Sequence, residues 1–381
     1  MGMGGAAGEV VTVPLKEAEF ASRQGQGKAA RPAVSGVAFC SEDQYGMSAS
    51  MSANLALLFI MLAAFCLAIY LLADGFDLGV SMMLPLAPSA DARDIMVASI
   101  EPIWDANETW LVMSCSLALA IHPPGTFLLR PAFYIPVAIM VFALVLRAII
   151  AALRSQTMRF RRTVDLAFAL SSALATFAQG FIISGFINAM AVQGGLSGGY
   201  PNFAKIVGPV CGTALIGGHV LLGAGWLIWK TDGQVRAYAR KTARPALVLM
   251  AAMMVLIGAV TVKGVPALAQ PWHAWPDSVM ILVIVAIGVI VLHAIWRRVT
   301  TARRWEIFLL AIVIYLLGFL VLGMSLWSLL GASYPPAWNS IEDQRVLTSV
   351  SVSVVVVIAV VGFLQINAYW KGRIIGDGAK S

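Results

Sequence analysis

Five carboxylates stand where a bilayer tolerates few: Asp74 and Asp77 in ADGFDLGV, and Glu101, Asp105 and Glu108 in IEPIWDANETWLV. They lie at the edges of two strongly apolar segments. An acid at the centre of a membrane helix costs roughly 2.5–3.5 kcal/mol on insertion scales, so a chain that keeps several near hydrocarbon uses them to hold or move charge. Glu101, Asp105 and Glu108 are spaced i, i+4, i+7, which puts them on one face if a single helix carries all three. Trp104 and Asn107 would shape and hydrogen-bond that face. Arg147 sits about seven residues, or roughly 10 Å, inside a later apolar run. A buried guanidinium needs a partner, and Asp105 or Asp77 is the expected one. Plainer roles compete. Pro102 suits a first helical turn and acids there are favoured by the helix dipole, so Glu101 could be a capping group. Arg147 could snorkel to the headgroups.

The elements that must position these residues are membrane helices. The chain of 381 residues is 60% hydrophobic and only 12% charged, with a mean hydropathy of +0.84. A soluble domain has about a quarter charged residues, so the fold class is an all-α polytopic membrane protein. The net charge of +7 then reports basic loops rather than a nucleic-acid footprint, and no nucleic acid is expected as a partner. Crossing a bilayer takes about 20 apolar residues. Runs of that kind fall at 54–73, 107–122, 133–153, 164–191, 208–229, 246–266, 279–296, 306–330 and 347–370, or about nine spans. Pro123-Pro124-Gly125 and Pro335-Pro336 mark two of the breaks between them.

Loop charges orient these spans. Arg154, Arg159, Arg161 and Arg162 follow the third span. Lys230, Arg236, Arg240, Lys241 and Arg244 follow the fifth, and Arg297, Arg298, Arg303 and Arg304 the seventh. Lys371, Arg373 and Lys380 end the chain, whereas Arg130, Lys205, Lys263 and Arg345 stand singly in the intervening loops. This positive-inside alternation places the C-terminus in the cytoplasm, the start of the first span outside, and the acidic stretch on the cytoplasmic side. Residues 1–50 have no spanning run and no signal-peptide core. They read as a disordered extension, with Met47 and Met51 as candidate starts. Residues 51–375 form the membrane domain and 376–381 a cytoplasmic tail.

Other residue types carry less. His219 lies mid-span and could ligate haem iron, whereas His122, His273 and His293 lie near water. Cys40, Cys66, Cys115 and Cys211 form no CxxC pair and read as free thiols. GGLSGG at 194–199 lacks the flanking strand and lysine of a phosphate loop.

DGFDLGV at 74–80 followed by WDANETWL at 104–111 resembles subunit II of the cytochrome bd ubiquinol oxidases. Gly223-Ala224-Gly225-Trp226-Leu227 with Lys230-Thr231-Asp232-Gly233 is similar to a further element of that family. So are the run from Asn339 to Thr348 and the sequence Ala368-Tyr369-Trp370-Lys371. Ala106 stands where many members have Gly, and Trp226 where many have Tyr. The resemblance covers roughly residues 54–375. It implies two four-helix bundles plus one peripheral helix, in a bacterial inner-membrane complex that oxidises quinol and reduces dioxygen to water. It also implies a haem-bearing partner, subunit I, which holds haem b and haem d, so that none is bound directly by this chain. A structural quinone and a small single-helix third subunit stay open. Asp105, Asp77 and Glu108 are the implied proton path, supported by Asp74, Glu101, Trp104, Asn107 and Arg147. From the residues alone, a proton-coupled secondary transporter is a competing function, and a purely structural scaffold for subunit I is another.

Overall fold

The computed structural model describes residues 42–121, 131–156, 160–193, 201–264, 269, 272–301, 303–333, 349 and 352–367. The chain divides into residues 1–47 and 48–381, and of the first unit only 42–47, the opening of a helix, are described. The remainder of the expected N-terminal extension, the Asn339–Thr348 run and the cytoplasmic tail lie outside the described residues.

All regular structure among the described residues is helical. In order these are α1 (Glu42–Met83), a 3-10 turn (Leu84–Leu86), α2 (Ala90–Ile100), α3 (Trp104–Ile121), α4 (Pro131–Gln156), α5 (Arg161–Gln193), α6 (Pro201–Lys230), α7 (Gly233–Gly264), α8 (Asp277–Arg298) and α9 (Glu306–Ser333). A shorter apolar helix, α10 (Val352–Asn367), follows. Among the described residues seven of these are long and apolar enough to cross a membrane. The other two expected spans correspond to α3, which carries Asp105, Asn107 and Glu108 near its start, and to α10, which is brief among the described residues.

Two expectations about the acidic stretch are corrected. The first helix does not end near residue 73. It runs on to Met83, and its apolar stretch Met61–Leu86 carries Asp74 and Asp77 in its interior rather than at its end. Leu78, Val80 and Met83 are buried and keep that part of the helix inside the protein. Glu101 does not share a face with Asp105 and Glu108. It is the exposed C-cap of α2, a helix the hydropathy pattern did not reveal. Pro102 has no N–H to continue the α2 ladder. The chain therefore turns through an Ile103 N–H to Ile100 carbonyl bond of 3.1 Å before α3 begins at Trp104. Upstream, Ser89 caps α2 by accepting from the Ala92 N–H at 3.1 Å.

α1 is the central helix. Its Phe76 and Val80 pack with α2 and with α6 to α9, its Phe59 and Tyr70 with α3 and α10, and its Leu78 with α4 and α5. Around it α4 packs on α5, α5 on α6 and α6 on α7, α9 lies against α6 and α8, and α10 covers α1 and α3. Close backbone crossings require small residues. A Cβ on Gly79 would overlap the His219 carbonyl of α6, and one on Gly180 of α5 would overlap Gly212 of α6. Outward faces carry exposed apolar side chains, among them Phe142 and Val145 on α4, Ile290 on α8 and Phe363 on α10.

Many of the basic residues, those following α4, α6 and α8, are held at helix ends by ion pairs between elements. Asp165 of α5 lies between Arg93 of α2 (2.8 Å) and Arg154 of α4 (2.7 Å), and Asp94 of α2 takes Arg154 (2.8 Å) and Arg161 (2.6 Å). Asp232 beyond α6 pairs with Arg236 of α7 and with Arg304 ahead of α9. Tyr238 of α7 donates to the Met83 carbonyl at 2.8 Å, which ties the end of α1 to the same end.

Candidate functional site

Tyr70, Asp74, Asp77 and Ser81 succeed one another at three- and four-residue steps, so α1 presents them as one polar stripe. Asp74 and Asp77 have no solvent exposure at all. Both also lie well away from water along the helix, since at 1.5 Å per residue Asp77 is roughly 9 Å and Asp74 roughly 14 Å from Met83.

Each carboxylate has its own partner. Arg147 of α4 is 3.7 Å from Asp74, with both side chains buried, and its guanidinium lies over the Phe168 ring of α5, 5.4 Å from the centroid. Among the described residues the ion pair is with Asp74, one turn above the expected Asp77, while the other expected partner, Asp105, has its side chain outside the described residues. Helix rotation, which the sequence does not display, decides which of the two carboxylates faces α4. Asp77 is instead met by Asn107 of α3, whose amide donates to Asp77 Oδ2 at 2.5 Å and to the Ala73 carbonyl at 3.0 Å. Glu108, the next residue, is half-buried. Trp104 and Asp105 belong to the first turn of α3, three and two residues before Asn107, and their side chains lie outside the described residues.

Polar residues absent from the sequence-based set complete the cluster. Gln365 of α10 donates through Nε2 to Asn107 Oδ1 at 2.6 Å, and its Oε1 accepts from the Trp110 indole N–H. Gln179 of α5 donates to the Tyr70 hydroxyl at 3.1 Å. Thr176, one turn earlier on α5, bonds His219 Nδ1 at 3.1 Å. Uncharged polar residues inside apolar runs were the available signal, and Gln365 in VVGFLQIN is the clearest instance.

His219 is enclosed on every side that the structure describes. Its ring stacks on Tyr315 of α9 with centroids 5.9 Å apart. A Cβ added to Gly75 would lie 2.8 Å from its Cδ2 and 3.1 Å from its Nε2. A haem needs an open face at the ligating nitrogen, and the α1 backbone occupies the space in front of Nε2, so this histidine does not fit an axial ligand. Among the described residues no three His, Cys, Asp or Glu side chains converge on a metal-sized site. What the cluster offers instead is two carboxylates and a guanidinium linked by amides and hydroxyls inside a bundle, groups able to accept, hold and pass protons.

Comparison with known proteins places these features. A family model described as cytochrome bd terminal oxidase subunit II matches residues 55–371. The chain is 26% identical over 194 residues to cytochrome bd ubiquinol oxidase subunit 2 of Bacillus subtilis, covering 49% of this chain and 56% of that protein. It is likewise 26% identical over 201 residues to cytochrome bd-I ubiquinol oxidase subunit 2 of Escherichia coli K12, covering 50% and 53%. The aligned region thus spans about half the length of the curated relatives it matches. The solved bd oxidase of Geobacillus thermodenitrificans shares the fold, with a TM-score of 0.63 at 14% identity, over 83% of this chain and 98% of that chain. The central α1, its buried acids and the helical groups around them are those of a membrane protein that belongs to the cytochrome bd terminal oxidase subunit II family.

Proposed function

We propose that this chain is the subunit II of a bd-type quinol oxidase, an inner-membrane complex in which quinol is oxidised and dioxygen reduced to water. Its partner in that reading is subunit I, which carries haem b and haem d and does the redox chemistry. This chain completes the complex and supplies a proton path to it. Family membership supports the partner and the reaction. The single observation that carries the path is the buried set Asp74, Asp77, Asn107, Arg147 and Gln365, because uncompensated charge at that depth would be expelled and this charge is built in.

In this reading the basic end of the bundle faces the cytoplasm and protons come from that side, so that their uptake builds a gradient. Asp105, in the first turn of α3, is the outer carboxylate, with Glu108 beside it and Trp104 at the entrance. Asp77 is the inner acceptor. Asn107 orients Asp77, and the Arg147 guanidinium beside Asp74 places positive charge near the point where a proton arrives at Asp77. Glu101, exposed at the end of α2, lies at the rim.

The test uses the complex purified from its native membrane, with its reduced-minus-oxidised spectrum recorded. Haem b and haem d bands accompanied by a second large subunit are expected. In Asp105→Asn and Asp77→Asn variants with normal haem content, oxygen consumption should fall at least tenfold, or ~1.4 kcal/mol in the barrier. Wild-type turnover in both variants would remove the proton path. Loss of haem in both would leave a scaffold.

A further inference from the structure

The hydrogen bonds that reach Asp77 run in one direction only. The Trp110 indole N–H can donate and cannot accept. Gln365 must therefore turn Oε1 toward it, which leaves its Nε2 facing Asn107. Asn107 then receives at Oδ1 (2.6 Å) and sends Nδ2 toward Asp77 Oδ2 (2.5 Å) and the Ala73 carbonyl (3.0 Å). The far end is pinned as well, because a backbone carbonyl can only accept. A flipped Asn107 would set amide against amide at Gln365 and oxygen against two oxygens at α1. Both orientations are thus fixed by groups at the ends of the chain that have no alternative.

This chain of donors makes Asp77 Oδ2 a standing acceptor. The other oxygen, Oδ1, is buried and has no hydrogen-bond partner among the described residues. A carboxyl that must accept at one oxygen carries its proton on the other. We propose that Gln365, from the peripheral helix α10, is a positioning residue that through Asn107 holds Asp77 Oδ2 as the acceptor and reserves Oδ1 as the oxygen that takes and releases the proton. The inference rests on the reading of Asp77 as a proton carrier. It gives α10, which packs at the edge of the bundle and exposes Val356, Val360 and Phe363 outward, a direct bond into the site.

Two substitutions in the assembled complex test it. Gln365→Leu removes both bonds, leaves Asn107 held only from the α1 side with its Oδ1 unpaired by Gln365, and should lower oxygen consumption roughly tenfold at unchanged haem content, the scale on which a misplaced reacting group loses rate. Gln365→Glu is isosteric and sensitive to direction. While protonated, the new carboxyl accepts from Trp110 and donates to Asn107 as the amide does. Once ionised it can only accept, so Asn107 must present its amide to it and turn Oδ1 on Asp77. Activity should therefore stay near wild type at low pH and fall as pH rises, a limb that wild type lacks. The titratable groups on the stretches of helix packed around position 365 are Cys66, Tyr70, Asp74 and Asp77 of α1 and Asp105, Glu108 and Cys115 of α3, with Arg147 approaching from α4. The infrared C=O band assigned to Asp77, through its loss in Asp77→Asn, should shift in Gln365→Leu. Gln365 variants that match wild type in rate, pH profile and this band, while Asp77→Asn is slow, overturn the positioning role alone. Full turnover in Asp77→Asn overturns the proton-carrier reading and this proposal with it.

Discussion

Removing one member of the Arg147–Asp74 pair strands the other in a bundle that excludes water. Loss of one partner from a buried pair costs about 3–5 kcal/mol, whereas replacing both by apolar groups of similar volume is often neutral or stabilising. Asp74→Leu and Arg147→Leu should each cut the yield of intact complex and its heat resistance in detergent, and the double variant should recover much of both. A double variant that loses as much as the two singles combined would mean that the two residues act independently. These charged residues were legible in the sequence because a charge inside an apolar run is an anomaly that hydropathy registers at once. Their pairing was not, since Asp74 and Asp77 are one turn apart and only the rotation of α1 against α4 decides which meets Arg147. Gln365, Gln179 and Tyr70 escaped for a related reason. Uncharged polar side chains are common enough in membrane helices that each becomes informative only when its partner is known.

At the scale of the element, the missing information was length and contact. The first apolar run stops at residue 73 because two acids and two glycines in DGFDLGV depress hydropathy, yet the helix runs through the motif to Met83. The glycines are there for approach rather than for turning. Gly79 lies against the α6 backbone at His219 and Gly223, where a Cβ finds no space. Overpacking a close contact costs about 1–3 kcal/mol when neighbours can move, and here the neighbour is backbone. Gly79→Ala should therefore separate α1 from α6 and abolish assembly. Gly258→Ala, on α7 with nothing within 4 Å, should leave assembly and turnover unchanged. Equal assembly of the two variants, judged by haem content and gel filtration, would count against the tight crossing. The short helix α2 also escaped the hydropathy pattern, because its anchor is electrostatic. Arg93 and Asp94 reach Asp165, Arg154 and Arg161 on two distant segments. Asp165→Ala leaves Arg93 and Arg154 facing each other and should lower the unfolding temperature of the complex, whereas an exposed change such as Glu101→Gln should not.

Over the whole molecule, sidedness links these smaller features to function. The loop arginines were readable from the sequence as an alternation, and the structure brings many of them to one end, where Asp94, Asp165 and Asp232 tie the helix ends together. An end held this way presents surplus positive charge, and the positive-inside rule assigns such an end to the cytoplasm. Asp77 and Asp74, roughly 9 Å and 14 Å from Met83 at that end, are then within the cytoplasmic half of a hydrocarbon core about 30 Å thick. In the proposed function, protons drawn from that side are removed from the cytoplasm as oxygen is reduced. Supply from the opposite face would conserve no energy from their uptake. A cysteine placed at the exposed Arg303, in a background lacking the native cysteines, should react with a membrane-impermeant maleimide in inverted vesicles and stay unlabelled in intact cells. Labelling in intact cells would turn the bundle over, put the acids nearer the outer face, and deprive the proposed path of its proton source.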